Sequence, residues 1–357
     1  MLSPATPESP SSPCRLCGGN APLAYAQHCG FQAPARFDIY ECEECQTSFA
    51  EPLRVDTSLY ERVYQQAERL PGYERYLRYR EQLPASQDPL ADLCRQEDVY
   101  WGVREALRQV TGQGSRPLRL LELGSGFGYL TYALRRAGHA CTGVDVSETA
   151  VAAARAHFGD YYRVADLAQL AAARERVDVV IATEVIEHLS DPKGFLAQAA
   201  ALLEPGGALI VTTPNRRIYP ARYAWDTDPP PIHLWWFSAT SLRRLAWELG
   251  LSLSFVDFSR FYARPRPDLR VATKPQSLDE SGQVIFRDTR TKTLARRALR
   301  AAPQLFRLLG SAYLTSLWLR RGRERFRESL SLCAVLRPRL RAGGRTGAEQ
   351  PGPPAPG

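Results

Sequence analysis

From residue 116 onward, the chain alternates short apolar runs with amphipathic stretches, and this alternation constrains the fold more than any other feature. It is typical of βαβ units, in which parallel strands form a sheet and the helices between them cover it. The sequence therefore predicts an α/β fold. The predicted strands lie near residues 118–123, 140–145, 160–164, 177–182, 207–213, 252–258 and 329–336, and the predicted helices near 128–137, 148–157, 192–203 and 238–249.

Differences in composition divide the rest of the chain into segments. A chain of 357 residues suits one main domain with appendages. Prolines and serines near the start, and glycines and prolines near the end, predict disorder there. The predicted order is a disordered leader at 1–13, a cysteine module at 14–50, a helical cap at 51–115, the main core at 116–258, a basic helical insert at 259–328, a final strand at 329–340 and a disordered tail at 341–357.

A predicted strand ending at Leu123 leads directly into a turn with glycines at positions 124, 126 and 128. Glycines permit a tight turn and let backbone N–H groups approach a ligand. Asp145 ends the next predicted strand, where a carboxylate can accept hydrogen bonds from both ribose hydroxyls. The spacing argues against NAD, because Tyr129 stands where a dinucleotide fingerprint has its third glycine. An ordinary βα turn without a ligand is the alternative.

Two further acids extend this candidate nucleotide site. Glu122 lies two residues before Gly124 and could bind the ammonium of an amino-acid moiety, directly or through water. Asp166 follows the third predicted strand and could accept a hydrogen bond from an adenine amino group.

Five motifs, at 120–128, 143–145, 165–167, 181–189 and 203–209, carry a family resemblance. In this order they resemble class I methyltransferases that depend on S-adenosylmethionine (SAM). The resemblance implies a Rossmann-like sheet of seven strands, with the last strand antiparallel and SAM lying across the carboxyl ends of the strands. It also implies that the cofactor contacts Glu122, Gly124, Ser125, Gly126, Gly128, Asp145, Asp166 and Leu167.

Acidic and histidine side chains follow the fourth predicted strand. Glu184, Glu187 and His188 would share one face of a helix, and His233 comes later. Two carboxylates and two imidazoles suit a divalent cation. The set resembles that of ubiquinone-pathway O-methyltransferases and small-RNA 3′-terminal 2′-O-methyltransferases, where it is associated with a metal near the acceptor hydroxyl. We take Glu184, His188 and His233 as catalytic candidates.

Two alternatives to a metal remain open for these residues. His188 could act as a metal-free general base, since an imidazole titrates near neutral pH. In the second alternative, Glu187 caps or solvates the helix and His188 packs against the following loop. Neither alternative changes the prediction of a SAM site beside them.

Four cysteines form a C-x₂-C-x₂₄-C-x₂-C pattern, Cys14, Cys17, Cys42 and Cys45. Each pair can form a knuckle around a tetrahedral zinc ion. The spacing resembles zinc ribbons, and similar modules precede methyltransferase domains that act on sugars and other small metabolites. We expect His28 and Cys29 to be loop residues and not ligands, and four free thiols are the alternative.

The insert is strongly basic, with twelve arginines and lysines between residues 287 and 327 opposed by Asp288 and Glu324. A helix predicted over 291–323 carries an apolar face beside the charges. It could pack as a lid, grip an anionic acceptor, or contact an anionic membrane surface. The tyrosines of the cap are expected to pack its helices first and to line an acceptor pocket second.

The combined prediction is a SAM-dependent methyltransferase with a structural zinc, acting on a small-molecule or glycan acceptor, most simply at oxygen. The alternatives are a C- or N-methyltransferase on a nucleotide sugar, an RNA-end 2′-O-methyltransferase, and an inactive zinc-ribbon adaptor. We do not expect a nucleic-acid partner, because no RNA-binding aromatic motif is visible. Paired cysteines and the lack of a signal-like or membrane-spanning apolar run predict a cytoplasmic location.

Overall fold

The computed structural model describes residues 10–70, 73–112, 116–218, 228–263, 278–284 and 329–339. The strands are β1 (Ser11–Pro13), β2 (Asn20–Cys29), β3 (Arg36–Glu41), β4 (Ser48–Glu51), β5 (Arg119–Leu123), β6 (Ala140–Asp145), β7 (Tyr162–Val164), β8 (Val177–Thr183), β9 (Leu203–Pro214), β10 (Trp235–Trp236), β11 (Leu251–Phe255) and β12 (Ser331–Pro338). The helices are α1 (Thr57–Gln65), α2 (Glu74–Gln82), α3 (Pro89–Gln96), α4 (Asp98–Thr111), α5 (Tyr129–Arg136), α6 (Glu148–Phe158), α7 (Leu167–Ala172), α8 (Pro192–Ala201), α9 (Ala239–Glu248) and α10 (Ser259–Tyr262), with 3₁₀ turns at Leu83–Ala85 and Ile186–His188.

The larger sheet has seven strands in the order β11-β12-β9-β8-β5-β6-β7. Strands β7, β6, β5, β8 and β9 pair in parallel, as crossover helices require. β12 runs antiparallel to both of its neighbours, β9 and β11. The predicted α/β fold with an antiparallel last strand is confirmed, and β12 occupies its place in the sheet although a long insert precedes it.

Local sequence signals explain where the helices begin. Ser147 and Ser238 accept N-terminal backbone hydrogen bonds of α6 and α9, and Asp191 does the same for α8, where Pro192 takes the first helical position. Asp56 caps α1 in the same way. Each cap satisfies a backbone donor that the helix itself leaves unpaired.

Successive side chains along each strand point to opposite faces of the sheet and belong to two apolar layers. Leu120 and its neighbours in register pack with α3, α4, α5 and α6 on one face. Leu121 faces the other side, where α7, α8 and α9 pack. Residues of the cysteine module, including Ile39 and Phe49, belong to this second layer. The sheet is therefore covered on both faces, as parallel sheets usually are.

A second sheet has the order β1-β2-β3-β4-β10. Its first four strands come from the amino-terminal segment, while β10 comes from the polypeptide that follows the main sheet's fifth parallel strand. Trp235 pairs with Phe49 and Trp236 with Ser48. The five-stranded sheet is therefore not formed by the segment before residue 50 alone, because β10 belongs to it as well.

Several predicted segments differ from the structure or lie beyond what it describes. Ser11–Pro13 forms a strand paired with β2, although the leader was predicted to be disordered through residue 13. The helix predicted over 291–323 and the tail after residue 339 lie outside the described residues. Among the described helices, none combines the length and apolar character needed to cross a bilayer.

Gly143 in β6 provides a test of the packing below the sheet edge. A Cβ there would lie 2.6 Å from Tyr162 Cδ1 and 2.8 Å from Thr131 Oγ1. We expect Gly143→Val to lower the free energy of unfolding in urea by about 1–3 kcal/mol, because the added atoms overpack the site. Ala140→Val, at an exposed position of the same strand, controls for strand propensity and should change stability by less than about 0.5 kcal/mol. Equal urea midpoints for the two variants would show that the packing is not tight.

Candidate active site

A cavity of about 950 Å³ opens at the carboxyl ends of β5, β6, β8 and β9. Its wall combines the turns that follow these strands with side chains from α1, α2 and α4 of the cap. Ligands of α/β proteins bind at this edge because successive strand ends and helix starts meet there. The predicted nucleotide site and the predicted catalytic cluster both open into this cavity.

The glycine-rich turn is held against the end of β6. The amides of Gly124 and Ser125 donate to the Val144 carbonyl over 2.8 and 3.0 Å. Asp145 accepts from the Gly126 amide at 2.8 Å and from the Ser147 amide at 2.9 Å. These bonds fix the Asp145 carboxylate on the cavity wall, with lone pairs left for a ligand.

Two of the predicted glycines have left-handed backbone conformations in this turn. Gly124 has a φ of 73°, and a Cβ there would also meet Val185 Cγ2 at 2.6 Å. Gly126 has a φ of 50°, which favours glycine, while a Cβ there would make only ordinary contact with Tyr64. The turn therefore presents bare backbone to the cavity, as a bound nucleoside requires.

Glu122 is a buried carboxyl on the wall below the turn. Its side chain is 2 % exposed and accepts a hydrogen bond from Thr131 Oγ1. Burial raises the pKa of Glu122 to about 8, and the Thr131 bond opposes this only in part. Ser125 Oγ, also buried, makes no hydrogen bond among the described residues. A ligand with an ammonium and polar oxygens would satisfy both groups, so the residues present fit SAM.

Three predicted cofactor residues do not line the cavity as the structure describes it. A Cβ at Gly128 would clash with Tyr162 and Ala154, so this glycine allows α5 to pack closely. Asp166 caps α7, accepting from the Gln169 amide at 2.8 Å, and Leu167 starts that helix. Gly128 therefore contributes to packing, and Asp166 and Leu167 form the start of α7.

Tyrosines of the cap form much of the opposite wall: Tyr60, Tyr64, Tyr73, Tyr76 and Tyr100, with Tyr129 from the core. Tyr76 stacks on Tyr129 with ring centroids 6.0 Å apart, and Tyr73 meets Tyr76 edge-on at 5.7 Å. Tyr100 donates to the Tyr129 hydroxyl at 2.9 Å, or accepts from it. The cap tyrosines therefore pack against one another and against Tyr129, and the same rings line the cavity.

The wall is acidic. Arg75 and Arg216 are the basic residues among the described lining, and each already has a carboxylate partner: Arg75 Nε lies 3.2 Å from Glu97, and Arg216 bonds Glu41. Eight acids face them from the wall: Glu61, Glu97, Asp98, Glu122, Asp145, Glu148, Glu184 and Asp228. Among the described lining residues, acids therefore outnumber lysines and arginines.

Sequence reasoning missed Arg75, Glu97, Arg216 and Asp228 as parts of this wall. Asp228 precedes the three prolines that lead to His233, and that proline run was the available signal. Burial raises the pKa of Asp228 to about 7. Its carboxylate lies 3.9 Å from His233 Nε2.

Glu184 does not begin a helix, so the predicted helical face shared by residues 184, 187 and 188 is wrong. Its φ of 52° is left-handed, and only Ile186–His188 form a 3₁₀ turn. The Glu184 carboxylate accepts from Thr212 Oγ1 at 3.0 Å, and this contact holds the residue beside β9. Burial raises the pKa of Glu184 to about 8.

Glu187, His188 and His233 lie close together although no helix presents them on one face. One ligand atom from each lies within 4.8 Å of the others, and the two imidazole centroids are 4.9 Å apart. Glu187 is fully buried, and neither of its carboxylate oxygens has a hydrogen-bond partner among the described residues. Burial raises the pKa of Glu187, because an unpaired buried carboxylate is costly unless it is protonated or a cation balances it. This donor set therefore fits a divalent cation.

The tautomer of His188 follows from its neighbour. Its Nδ1 lies 2.6 Å from the carbonyl oxygen of Ile232, which can only accept, so Nδ1 carries the proton. Nε2 is then left with a lone pair. Burial lowers the pKa of both His188 and His233, so both rings are neutral at neutral pH. Neutral imidazoles are the form that binds metal or accepts a proton.

The four predicted cysteines gather in a second cluster at the amino-terminal sheet. The Sγ atoms of Cys14 and Cys45 are 3.7 Å apart, and those of Cys17 and Cys42 are 3.5 Å apart. Zinc–sulfur bonds of about 2.3 Å in a tetrahedron separate the sulfurs by about 3.8 Å, so the donor set fits zinc. Cys29 is outside the cluster, and it ends β2 together with His28.

The chain is similar in sequence to known methyltransferases. Residues 95–254 match the family model described as a methyltransferase domain. The ubiquinone biosynthesis O-methyltransferase of Rhodopseudomonas palustris strain BisB18 is 38% identical over 130 residues, which cover 33% of this chain and 51% of that protein. The enzyme of the same name from Caulobacter sp. strain K31 is 39% identical over 140 residues, covering 35% and 56%. The chain thus spans about half the length of the curated relatives it matches.

Among solved structures, the magnesium protoporphyrin IX methyltransferase of Synechocystis PCC 6803 with bound SAM is similar at 20% identity. The match has a TM-score of 0.31 and covers 44% of this chain and 75% of that one. The sequence match extends over the strands and turns that build the cavity, including the Glu122–Gly126 turn and Asp145. Residues 95–254 of this chain are therefore similar to a methyltransferase domain.

Proposed function

We propose that the chain transfers a methyl group from SAM to a hydroxyl oxygen of a small, polyhydroxylated acceptor of the glycan type without net negative charge. One observation carries this proposal. A single cavity joins Glu122 and Asp145, on the side suited to SAM, with His188 and His233 on the other side. Methyl transfer needs donor and acceptor in line, and alignment in such a cavity supplies much of the rate enhancement.

Glu122, Ser125 and Asp145 would hold SAM. Glu122 pairs with the ammonium of the methionine moiety, Ser125 offers a hydroxyl, and Asp145 accepts from the ribose hydroxyls. SAM supplies a methyl carbon on a positive sulfur. The acceptor oxygen attacks that carbon, the carbon–sulfur bond breaks, and the hydroxyl loses its proton.

Glu187, His188 and His233 would hold a divalent cation beside the acceptor. A bound cation would lower the pKa of the acceptor hydroxyl. Glu184, on the cavity wall, would take the proton in its ionised form, which has a high proton affinity because burial raises the pKa to about 8. Without a cation, the neutral Nε2 of His188 would be the base.

The chemistry of the wall supports the class of acceptor. Rings such as Tyr73 and Tyr76 offer flat apolar faces, while carboxylates such as Asp228 accept hydrogen bonds from hydroxyl groups. An acceptor that carries phosphate would face Glu97, Asp98 and Asp228 with no free cation on the described wall. This makes the nucleotide-sugar and RNA-end alternatives less suited to the site. The cavity and the intact Glu122 argue against an inactive adaptor.

The acceptor's charge gives the first test of this function. After incubation of a cell extract with methyl-labelled SAM and the protein, we expect label in small molecules that pass through an anion exchanger, with no loss after nuclease treatment. His188→Ala should lower this transfer by about 10²-fold or more, with the calorimetric SAM dissociation constant within about two-fold. His157→Ala, at an exposed histidine, is the matched control.

Label retained on the anion exchanger would contradict the proposed acceptor class, and nuclease-sensitive label would favour the RNA alternative. Wild-type transfer by His188→Ala would remove His188 from the mechanism. Chelation followed by added manganese distinguishes the cation-assisted mechanism from the metal-free one. Activity that is lost on chelation and recovered with manganese would support the cation site. Activity that chelation does not change would support His188 as a metal-free base.

Glu122 gives a test of the SAM site that does not need the acceptor. Glu122→Gln should weaken SAM binding about ten-fold in calorimetry, because an amide replaces a carboxylate facing an ammonium. The same change should stabilise the ligand-free protein as pH rises. Folding raises the pKa of Glu122 from its usual 4.5 to about 8, so ionisation costs the wild type stability progressively across that window.

The melting-temperature advantage of Glu122→Gln should therefore be larger at pH 8.5 than at pH 5.5. Glu204→Gln, at a partly exposed carboxylate near the opposite edge of the sheet, should show neither the SAM effect nor the pH trend. Unchanged SAM affinity in Glu122→Gln would remove this residue from the cofactor site.

We also propose that the four-cysteine cluster binds one structural zinc ion and that the protein works in the cytoplasm. Backbone amides support thiolates in the cluster, since Leu16 donates to Cys14 Sγ and Cys45 donates to Cys42 Sγ. All eight cysteines are free of disulfides, which suits a reducing compartment. A closed four-thiolate site leaves no position for chemistry.

Zinc content tests this site directly. The purified protein should contain about one zinc per chain by mass spectrometry, and Cys14→Ser should lower both the zinc content and the melting temperature. Cys29→Ser removes an exposed thiol outside the cluster and should change neither. Zinc at trace level in protein purified without chelator would rule the site out.

A further inference from the structure

The cysteine module and the methyltransferase domain meet at β10. On one side, this strand pairs with β4 of the module, and the Ala50 amide donates to the Leu234 carbonyl at 2.9 Å. The rings of Phe49 and Trp235 are 5.7 Å apart and lie in one apolar layer with the cysteines. The contact is therefore a continuous sheet and a shared core.

The knuckle formed by residues 42–47 is hydrogen-bonded to the polypeptide around β10. Thr47 Oγ1 donates to the Trp236 carbonyl at 3.1 Å, and Ser238 Oγ donates to the carbonyl of Cys45 at 3.0 Å. Both hydroxyl-bearing residues are fully buried. The Cys42 amide in turn donates to the Thr47 carbonyl at 2.8 Å, so a cysteine pair fixes the residue that holds β10.

The other side of this segment contacts the catalytic cluster. The Leu234 amide donates to the carbonyl of Glu187 at 2.8 Å, and Trp235 Nε1 donates to the carbonyl of Leu189 at 2.8 Å. His233 lies two residues before the strand. One short segment therefore connects the module to the backbone at Glu187 and Leu189, on either side of His188, and it contains His233.

The module also fixes a basic side chain of the wall. Arg216 bonds both oxygens of Glu41 at 2.9 and 3.0 Å, and its Nε donates to Ser48 Oγ at 3.1 Å. Its backbone amide donates to the Phe237 carbonyl, two residues past Trp235. Residues of the module therefore fix the position of a side chain on the acceptor side of the cavity. By contrast, the SAM side is held by bonds between the ends of β5 and β6.

We propose that the cysteine module is a positioning element for the acceptor half of the active site, acting through Thr47 and β10 on Glu187, His188 and His233. The module does not touch the reacting atoms. It sets the spacing between the two imidazoles and the buried carboxylate, while SAM binding is independent of it. The proposal deepens the proposed function and rests on the assignment of that cluster to the acceptor half.

Thr47→Val tests the proposal without altering a thiol. The variant keeps the shape of the side chain and removes the donor to the Trp236 carbonyl. The chain has five histidines, His28, His139, His157, His188 and His233. In carbon–proton NMR spectra of histidine-labelled protein, we expect the His188 and His233 signals to shift while those of His139 and His157 stay in place.

Two further measurements separate positioning from general stability. The calorimetric SAM dissociation constant of Thr47→Val should stay within about two-fold of wild type, whereas manganese binding should weaken about ten-fold, as for other changes behind metal ligands. Thr111→Val is the matched control, because Thr111 Oγ1 also donates to a backbone carbonyl, that of Leu107 in α4. It should leave the His188 and His233 signals and manganese binding unchanged. Thr47→Ser, which restores the hydroxyl, should recover the wild-type spectrum.

Unshifted His188 and His233 signals in Thr47→Val would overturn the proposal, even if the melting temperature fell. Equal shifts in Thr111→Val would overturn it as well, since the effect would then be general. If wild-type protein binds no manganese, the cation assigned under the proposed function fails. The histidine signals still decide the positioning proposal in that case, because they do not depend on a bound cation.

Discussion

The parallel pairing of β5 with β6 and β8 is the constraint on which the site depends. Leu123 lies in register with Val144 on one side and with Ala182 on the other. The residues after these strands therefore leave the sheet at one level and along one edge. Because each strand ends there, the glycine-rich turn, Asp145 and the polypeptide leading to Glu184 converge at this edge.

This convergence has an electrostatic cost. Carboxyl groups at the sheet edge are taken out of water, and burial raises the pKa of Glu122, Glu184 and Asp228. Few cations on the described wall offset them. A cationic ligand at this edge would favour the ionised form of these carboxyls. The positive sulfur and ammonium of SAM suit one end, and a divalent cation suits the other.

The local parts of this design could be predicted from sequence, and the parts that depend on tertiary contacts could not. The strand before Gly124 and the acid at 145 follow from apolar runs and spacing, and β12 follows from its own apolar pattern. The left-handed backbone at Glu184 is stabilised by Thr212, 28 residues away in sequence, which no periodicity reveals. β10 has two residues, too few to show an alternation, so the junction between module and domain was missed.

The position of β12 affects the order in which the sheet can be completed. β11 pairs with β12, and β12 lies between β11 and β9, yet it follows β11 only after the long insert. During synthesis, β9 can pair with β8 long before β12, its other neighbour in the sheet, leaves the ribosome. The intervening chain must then be closed into a loop, at an entropic cost that grows only slowly with length. Until residues 331–338 arrive, the nascent domain has an open strand edge, where a chaperone or a second nascent chain can bind.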